Sequence, residues 1–320
     1  MATEDERDLG FGSVVTRQSR RRLLNRDGSF NIERRGLRRR ESLSPYHAVL
    51  EMTWTGFLGS LVAAYLLINV LFAAAYLACG PGALGTPPSG DPEGRFLQAF
   101  FFSVETFATI GYGQIYPVGI AANAIMVVEA LLGLLGVALA TGIIFARFSR
   151  PSARIRFSRV AVVAPYRGIS AFMFRVVNQR RNQIVELDAK VVLSRFITTG
   201  GTATRRFDDL ALERRRVTFF PLAWTIVHPI DETSPLHGAT PAQLAAEEAE
   251  FLVLLSGVDD TFSQMVHARS SYHAAEIVWG ARFGEMFNPP TPDGVLSIDI
   301  RRLDDVRDAA DATPAARPAS

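Results

Sequence analysis

The chain has 320 residues, 48% hydrophobic and 21% charged, with a formal charge of +2 and a mean hydropathy of +0.14. This much apolar surface excludes a wholly disordered chain, and a single cysteine, Cys79, excludes an internal disulfide framework or a cysteine-rich metal site. The near-neutral sum hides segregation, because residues 1–50 carry eleven arginines and no lysine whereas Gly56 to Cys79 carry no charge.

Residues 1–42 read as a basic arm, partly disordered. Ser44-Pro45 is a helix-start pair, a capping hydroxyl followed by proline at the first helical position. Residues 44–54 (SPYHAVLEMTW) then form a short amphipathic stretch with Trp54 at headgroup level. The run 56–78 (GFLGSLVAAYLLINVLFAAAYLA) reaches about 35 Å as a helix, enough to cross a hydrocarbon core of about 30 Å. It is too long for a secretory signal, begins past residue 50 and lacks a small-x-small cleavage pattern. A second spanning run covers 119–146, with Glu129 as its only charge. Arginines cluster before the first span and after the second, while the intervening loop has only Arg95, so both termini are expected in the cytoplasm. Arginine runs also suit nucleic acid, but beside two spans topology and anionic lipid account for them, and no nucleic-acid partner is expected.

Between the spans, Phe96 to Phe107 (FLQAFFFSVETF) is apolar, aromatic and too short to span, and leads into Thr109-Ile110-Gly111-Tyr112-Gly113. Irregular backbone at membrane depth is tolerated only when packed in protein or lining a polar path. A dehydrated cation fits that need. Gly111 and Gly113 reach backbone angles closed to other residues, so successive carbonyls can point one way, and Thr109 adds a hydroxyl oxygen. Rings of such oxygens replace the hydration shell of K⁺. One chain supplies one loop, so enclosure calls for three further identical subunits.

SVETFATIGYG, a second span ending in FARFSRP, HPIDETSPL at 228–236 and ARSSYHAAEIVWGARF at 268–283 together resemble the prokaryotic inward-rectifier potassium channel family, KirBac. The likeness covers about residues 43–303. It implies a K⁺-selective tetrameric channel, with no cofactor besides the permeant K⁺, in a bacterial inner membrane. It also implies a pore module over 43–150 and a cytoplasmic immunoglobulin-like β-sandwich over 151–304, while the alanine-rich composition at the end of the chain reads as a disordered tail over 305–320. Residues 44–54 correspond to a slide helix that couples the cytoplasmic domain to the pore.

On the second span, Glu129, Gly133, Val137, Thr141 and Phe145 recur every four positions and are expected to line the pore. The resemblance places Phe145 where four bulky side chains close the helix bundle. Gly133 and Gly142 match positions where the inner helix bends, though glycines in membrane helices also serve close packing. Val137 stands where strongly rectifying relatives carry an acid, which implies weak block by internal Mg²⁺ or polyamines. Glu105 matches the glutamate behind the filter, but the basic partner of animal members is replaced by Ile115. Glu129 is open to two readings, a cation-concentrating group at the cavity or a second structural carboxyl. Arg147, Arg150 and Arg154 are lipid-binding candidates, to which the resemblance adds phosphoinositides. Glu51 on the slide helix runs against that reading. Glu186 and Glu276 match vestibule positions, or lie on a solvated strand face.

After Pro151 the pattern turns to alternation. In Ile184 to Phe196, Val185, Leu187, Ala189, Val191 and Leu193 are expected on the buried face. Further strands are expected near 171–177, 217–227, 251–256 and 295–300, and a helix over 240–250 capped by Thr240. Five histidines and no nucleotide-binding glycine loop leave no convincing catalytic site, so no enzyme is expected. The remaining alternatives are a non-conducting membrane-anchored sensor or receptor and a non-selective cation channel. The TIGYG loop argues against both.

Overall fold

The computed structural model describes residues 9–10, 20–31, 45–85, 92–149, 154–180, 182–199, 202–220, 222–290, 292–294 and 296–308. Ser44 and Arg150 lie outside them. The chain divides into two units: residues 35–150, and residues 1–34 together with 151–320.

The first unit is helical. A short helix α1 (Pro45–Glu51) precedes α2 (Trp54–Ala78), whose first turn is capped by Thr53 accepting from the Gly56 N–H at 3.2 Å. A two-residue strand β1 (Leu84–Gly85) and α3 (Pro92–Phe107) follow, then β2 (Tyr116–Pro117), antiparallel to β1, and α4 (Gly119–Phe148). Helices α2 and α4 have 25 and 30 residues and are long and apolar enough to cross a membrane. At about 1.5 Å per residue α4 is about 45 Å long, well beyond a hydrocarbon core of about 30 Å. The re-entrant helix starts four residues earlier than the expected Phe96, because Pro92 suits a first helical position and the polar turn it opens lengthens the apolar stretch. Ala73, Tyr76, Ala99, Phe102 and Ala122 join the three helices, with the Tyr76 and Phe102 rings edge to face at 5.0 Å. Much of the remaining apolar surface, including Leu66, Leu71, Ile120, Leu134 and Leu139, is exposed. Surface of that extent needs lipid or other subunits to cover it.

The second unit is a β-sandwich. Its strands are β3 (Ile155–Phe157), β4 (Ala161–Tyr166), β5 (Ile169–Asn178), β6 (Ile184–Thr199), β7 (Thr202–Asp209), β8 (Arg216–Phe220) and β9 (Ala223–Ile230). After a one-and-a-half-turn helix α5 (Pro241–Ala246) come β10 (Glu250–Asp259), β11 (Gln264–His273) and β12 (Ile277–Trp279). One sheet runs β11-β10-β6-β7 with β8 on β6, and the other β12-β4-β5-β3 with β9 on β5. Phe172 of β5 and Phe251 of β10 stack at 4.3 Å across the interior, among Phe174, Leu187, Leu193, Ile226 and Tyr272.

Four expectations are corrected. Ile184, not Val185, faces the core, because Glu186 takes a left-handed conformation (φ 51°) where the register against β10 slips between Ser256 and Val258, resetting the alternation. Gly257 sits at this bulge, where a Cβ would meet Ile184 at 2.7 Å. The helix after Thr240 ends at Ala246, since Ala249 and Glu250 turn into β10. Over 295–300 only Ser297–Ile298 is strand, followed by a 3₁₀ turn, Ile300–Asp304. Finally, neither end is wholly loose: Val306–Asp308 pairs with Ala281–Phe283, and residues 20–31 dock on the sandwich.

That docking is well defined. Leu23 and Leu24 are buried against Val192 and Leu252. Their backbone N–H groups donate to the two carboxylate oxygens of Glu250 at 2.9 and 3.1 Å. Glu250 is 1% exposed, and Arg205, whose guanidinium burial lowers in pKa against the opposing pull of Glu250, lies 4.0 Å away. Arg22 grips Glu276 through both its terminal nitrogens and donates to the Ser271 carbonyl at 2.5 Å. A turn centred on Asp27-Gly28 returns the arm, closed by Asp27 accepting from the Ser29 N–H.

Candidate functional site

The loop after α3 is built by the way that helix ends. Thr109 N–H donates to Thr106 O at 3.1 Å and Ile110 N–H to Glu105 O at 2.7 Å, the paired bonds of a Schellman ending. Such an ending needs a left-handed residue at the position Thr109 fills, and its φ is 56°. Glycine is usual there, and a β-branched side chain costs about 1–3 kcal/mol of backbone strain. Gly111 (φ 59°) and Gly113 (φ 79°) continue the series, with Ile110 and Tyr112 between them on the ordinary side of the backbone map. Alternate left- and right-handed residues turn successive peptide planes so that their carbonyls address one side. The loop is thus an oxygen-bearing ribbon. Tyr112 is 74% exposed in the chain, as are the backbone positions around it, so the loop forms one wall of a path and not an enclosed site.

The expected stripe on α4 splits in two. Val137 and Phe145 are 59% and 72% exposed, with Thr141 exposed between them and donating to the Val137 carbonyl at 2.8 Å. Glu129 is 0% exposed and Gly133 is buried, so neither lines an open path. A spacing of four overshoots a turn by about 40°, and four such steps carry Phe145 about 160° around the helix from Glu129. The upper half of the stripe therefore faces α2 and α3. Glu129 meets the Tyr76 hydroxyl at 2.6 Å and the Ser103 hydroxyl more closely still. At Gly133 an added Cβ would stand 2.5 Å from the Phe107 carbonyl oxygen, which identifies this glycine as a packing position; at Gly142 the same atom would meet nothing within 4 Å. Glu105 is half-buried, and among the described residues none bonds its carboxylate within the chain.

Arg147 is not a free lipid ligand. Its guanidinium donates to Val49 O and, at 2.7 Å, to Met52 O, so it closes the carbonyl end of α1, and it lies over the Trp54 and Phe57 rings at 4.8 and 4.7 Å. Arg154 is exposed. Glu186 is exposed and paired with Arg216 at 3.3 Å. Glu276 is paired with Arg22 at 3.2 Å and Arg26 at 3.0 Å and accepts from the His273 N–H. In the HPIDETSPL segment, His228 is buried between Ala211 O at 2.6 Å and Ser234 Oγ at 2.7 Å, and burial holds its imidazole below the ordinary value. It is a structural group.

Several contributors escaped sequence reasoning. Asn69 and Tyr76 of α2 and Ser103 of α3 read as ordinary members of apolar runs, and only the packing of these helices against α4 gathers them around Glu129. Glu250 looked like the end of a helix, and Arg147 like one member of a basic cluster.

Two family models match the chain: an inward rectifier potassium channel C-terminal domain over residues 155–318, and an ion channel model over residues 64–150. Among curated relatives, the inward rectifier potassium channel Kirbac3.1 of Paramagnetospirillum magnetotacticum is 44% identical over 89% of this chain and 95% of its own length. The chain belongs to the inward rectifier potassium channel family. Animal members are more distant: the human G protein-activated inward rectifier potassium channel 3 is 31% identical over 88% of this chain and 77% of its own, and the bovine ATP-sensitive inward rectifier potassium channel 12 is 32% identical over 86% and 70%. As an inward rectifier, the protein is an integral membrane potassium channel with two spanning helices and a β-sandwich domain. The family architecture is a tetramer, which supplies the remaining walls of the path that one Thr109–Gly113 loop leaves open.

Proposed function

We propose that four copies of this chain conduct K⁺ through a filter made of the carbonyl oxygens of Thr109 to Gly113 and the Thr109 hydroxyl. The observation that carries this is the alternation of left-handed residues at 109, 111 and 113, which suits an oxygen ladder and has no evident purpose in a receptor. Exposed Val137, Thr141 and Phe145 line the cavity below, and the four Phe145 rings close it by dewetting. With valine at 137, internal Mg²⁺ and polyamines block weakly, because no ring of carboxylates attracts them there. Gly142 is the bending point of the inner helix, since no same-chain atom packs on it. Arg150 and Arg154 contact anionic lipid in a bacterial inner membrane with both termini cytoplasmic, and Glu186 contributes negative charge to the cytoplasmic path.

The test is flux into liposomes containing the purified tetramer. Uptake of K⁺ and Rb⁺ with little Na⁺, blocked by Ba²⁺, weakly reduced by spermine on the cytoplasmic side and altered by adding anionic lipid, is the expected result. Gly111→Ala leaves the tetramer assembled and abolishes selective uptake. Equal Na⁺ and K⁺ permeation by the unaltered protein overturns the selectivity assignment.

A further inference from the structure

Behind the filter loop lies a closed polar cluster contributed by all three long helices. Asn69 and Tyr76 come from α2, Ser103 from α3 and Glu129 from α4, and Asn69, Ser103 and Glu129 are each 0% exposed. The Asn69 amide nitrogen donates to Tyr65 O at 2.7 Å, which leaves its oxygen facing Ser103. Reversing the amide would set two carbonyl oxygens against each other at that distance. The Ser103 hydroxyl then lies within hydrogen-bond reach of both Asn69 Oδ1, at 3.0 Å, and Glu129 Oε1. Tyr76 O–H meets Glu129 Oε2.

The protons in this cluster can be counted. Three contacts, Ser103 with Asn69, Ser103 with Glu129 and Tyr76 with Glu129, need three hydrogens. A serine hydroxyl supplies one, a tyrosine hydroxyl supplies one, and the Asn69 oxygen supplies none. The third must sit on the Glu129 carboxyl. It donates to Ser103, Ser103 donates to Asn69, and Tyr76 donates to the other carboxyl oxygen. A neutral acid also avoids an unpaired charge among helices in lipid.

We infer that Glu129 is a positioning residue for ion selection, held as a neutral carboxylic acid that ties the pore helix α3 to both spanning helices. Ser103 stands four residues before the last residue of α3 and six before Thr109, so the tie fixes the final turn from which the filter loop springs. Gly133, one turn below Glu129 on α4, lets the Phe107 end of the same helix press directly against α4. The two contacts leave α3 no room to rotate or withdraw. Glu129 acts through α3 and does not touch the ion.

Three variants of the full-length tetramer in liposomes, Glu129→Gln, Glu129→Leu and Ser103→Ala, test this. Glutamine reproduces a neutral acid, its amide N–H donating to Ser103 and its oxygen accepting from Tyr76, so Glu129→Gln keeps the wild-type preference for Rb⁺ over Na⁺. Leucine fills similar space without hydrogen bonds, and the buried groups it orphans lower that preference by about tenfold. Ser103→Ala, which removes the middle link while sparing the fold, lowers it as well. Infrared difference spectra between wild type and Glu129→Gln at neutral pH show a protonated carboxylic acid band in the wild type alone. A purely structural role would change tetramer stability and leave the Rb⁺ to Na⁺ ratio where it was. The inference is overturned if Ser103→Ala keeps the wild-type ratio, if Glu129→Gln loses selectivity, or if the acid band is missing. Loss of all uptake from the unaltered protein would instead defeat the channel reading itself.

Discussion

Replacing Gly133 by alanine gives the sharpest test of how α3 and α4 meet. The new methyl would lie 2.5 Å from the Phe107 carbonyl oxygen, 3.2 Å from its carbon and 3.2 Å from its Cα, all backbone atoms that no rotamer change can move aside. Ordinary contact begins at 3.4 Å, so the end of α3 and the facing turn of α4 must separate by about 0.9 Å. Overpacking of this kind costs about 1–3 kcal/mol, against a helix-propensity gain of about 1 kcal/mol. Phe107 is two residues from Thr109, so the displacement enters the filter loop with little chain to absorb it. The expected outcome is an assembled tetramer whose Rb⁺ uptake falls and whose discrimination against Na⁺ weakens. Gly142→Ala is the control, because its methyl meets no atom of the chain within 4 Å and should leave discrimination unchanged. Wild-type uptake and selectivity in Gly133→Ala would refute the packing argument.

Arg147→Lys keeps a charge but cannot bridge Val49 O and Met52 O while lying across Trp54, so the detergent-solubilised tetramer should lose about 1–3 kcal/mol of stability, read from thermal unfolding; an unchanged midpoint would discount the bridge. For His228, burial holds the folded imidazole below its ordinary value of 6.5, so its contribution to stability is fully present above pH 6.5 and is lost as pH falls through the lower folded value. Melting curves between pH 7 and 5 should show a steeper decline for wild type than for His228→Gln, and parallel declines would show that the imidazole does not govern this pH dependence.

The pore unit is the more legible part of the sequence because its signals are local. Two long apolar runs, an aromatic stretch too short to span and a glycine-spaced loop each carry their meaning within a single short stretch of chain. The positive φ of Gly111 and Gly113 follows from residue type, whereas that of Thr109 depends on how α3 terminates and is visible only in the hydrogen bonds. A four-residue spacing defines a stripe on α4 for one or two turns and then drifts, so it does not by itself choose between the two readings of Glu129. In the sandwich, alternation located β6 and its phase from Leu187 to Leu193, while a single left-handed residue at Glu186 shifts the positions before it to the opposite face. Composition alone makes the tail and the arm look loose, because it does not report that Glu250 accepts from two backbone N–H groups of the arm.

The buried Glu250 has a consequence for the order in which the protein is made. Leu23 leaves the ribosome early, and the carboxylate that receives its N–H lies 227 residues later. At about 5–20 residues per second, that interval is about 11–45 s, during which both spanning helices must enter the bilayer. The arm therefore spends the whole of membrane insertion with Leu23 and Leu24 uncovered, and the cytoplasmic domain is sealed by its oldest segment, after β10 and β11 have emerged. A ribosome stalled before Glu250 holds a chain whose pore helices are complete and whose N-terminal arm still lacks the carboxylate it docks on.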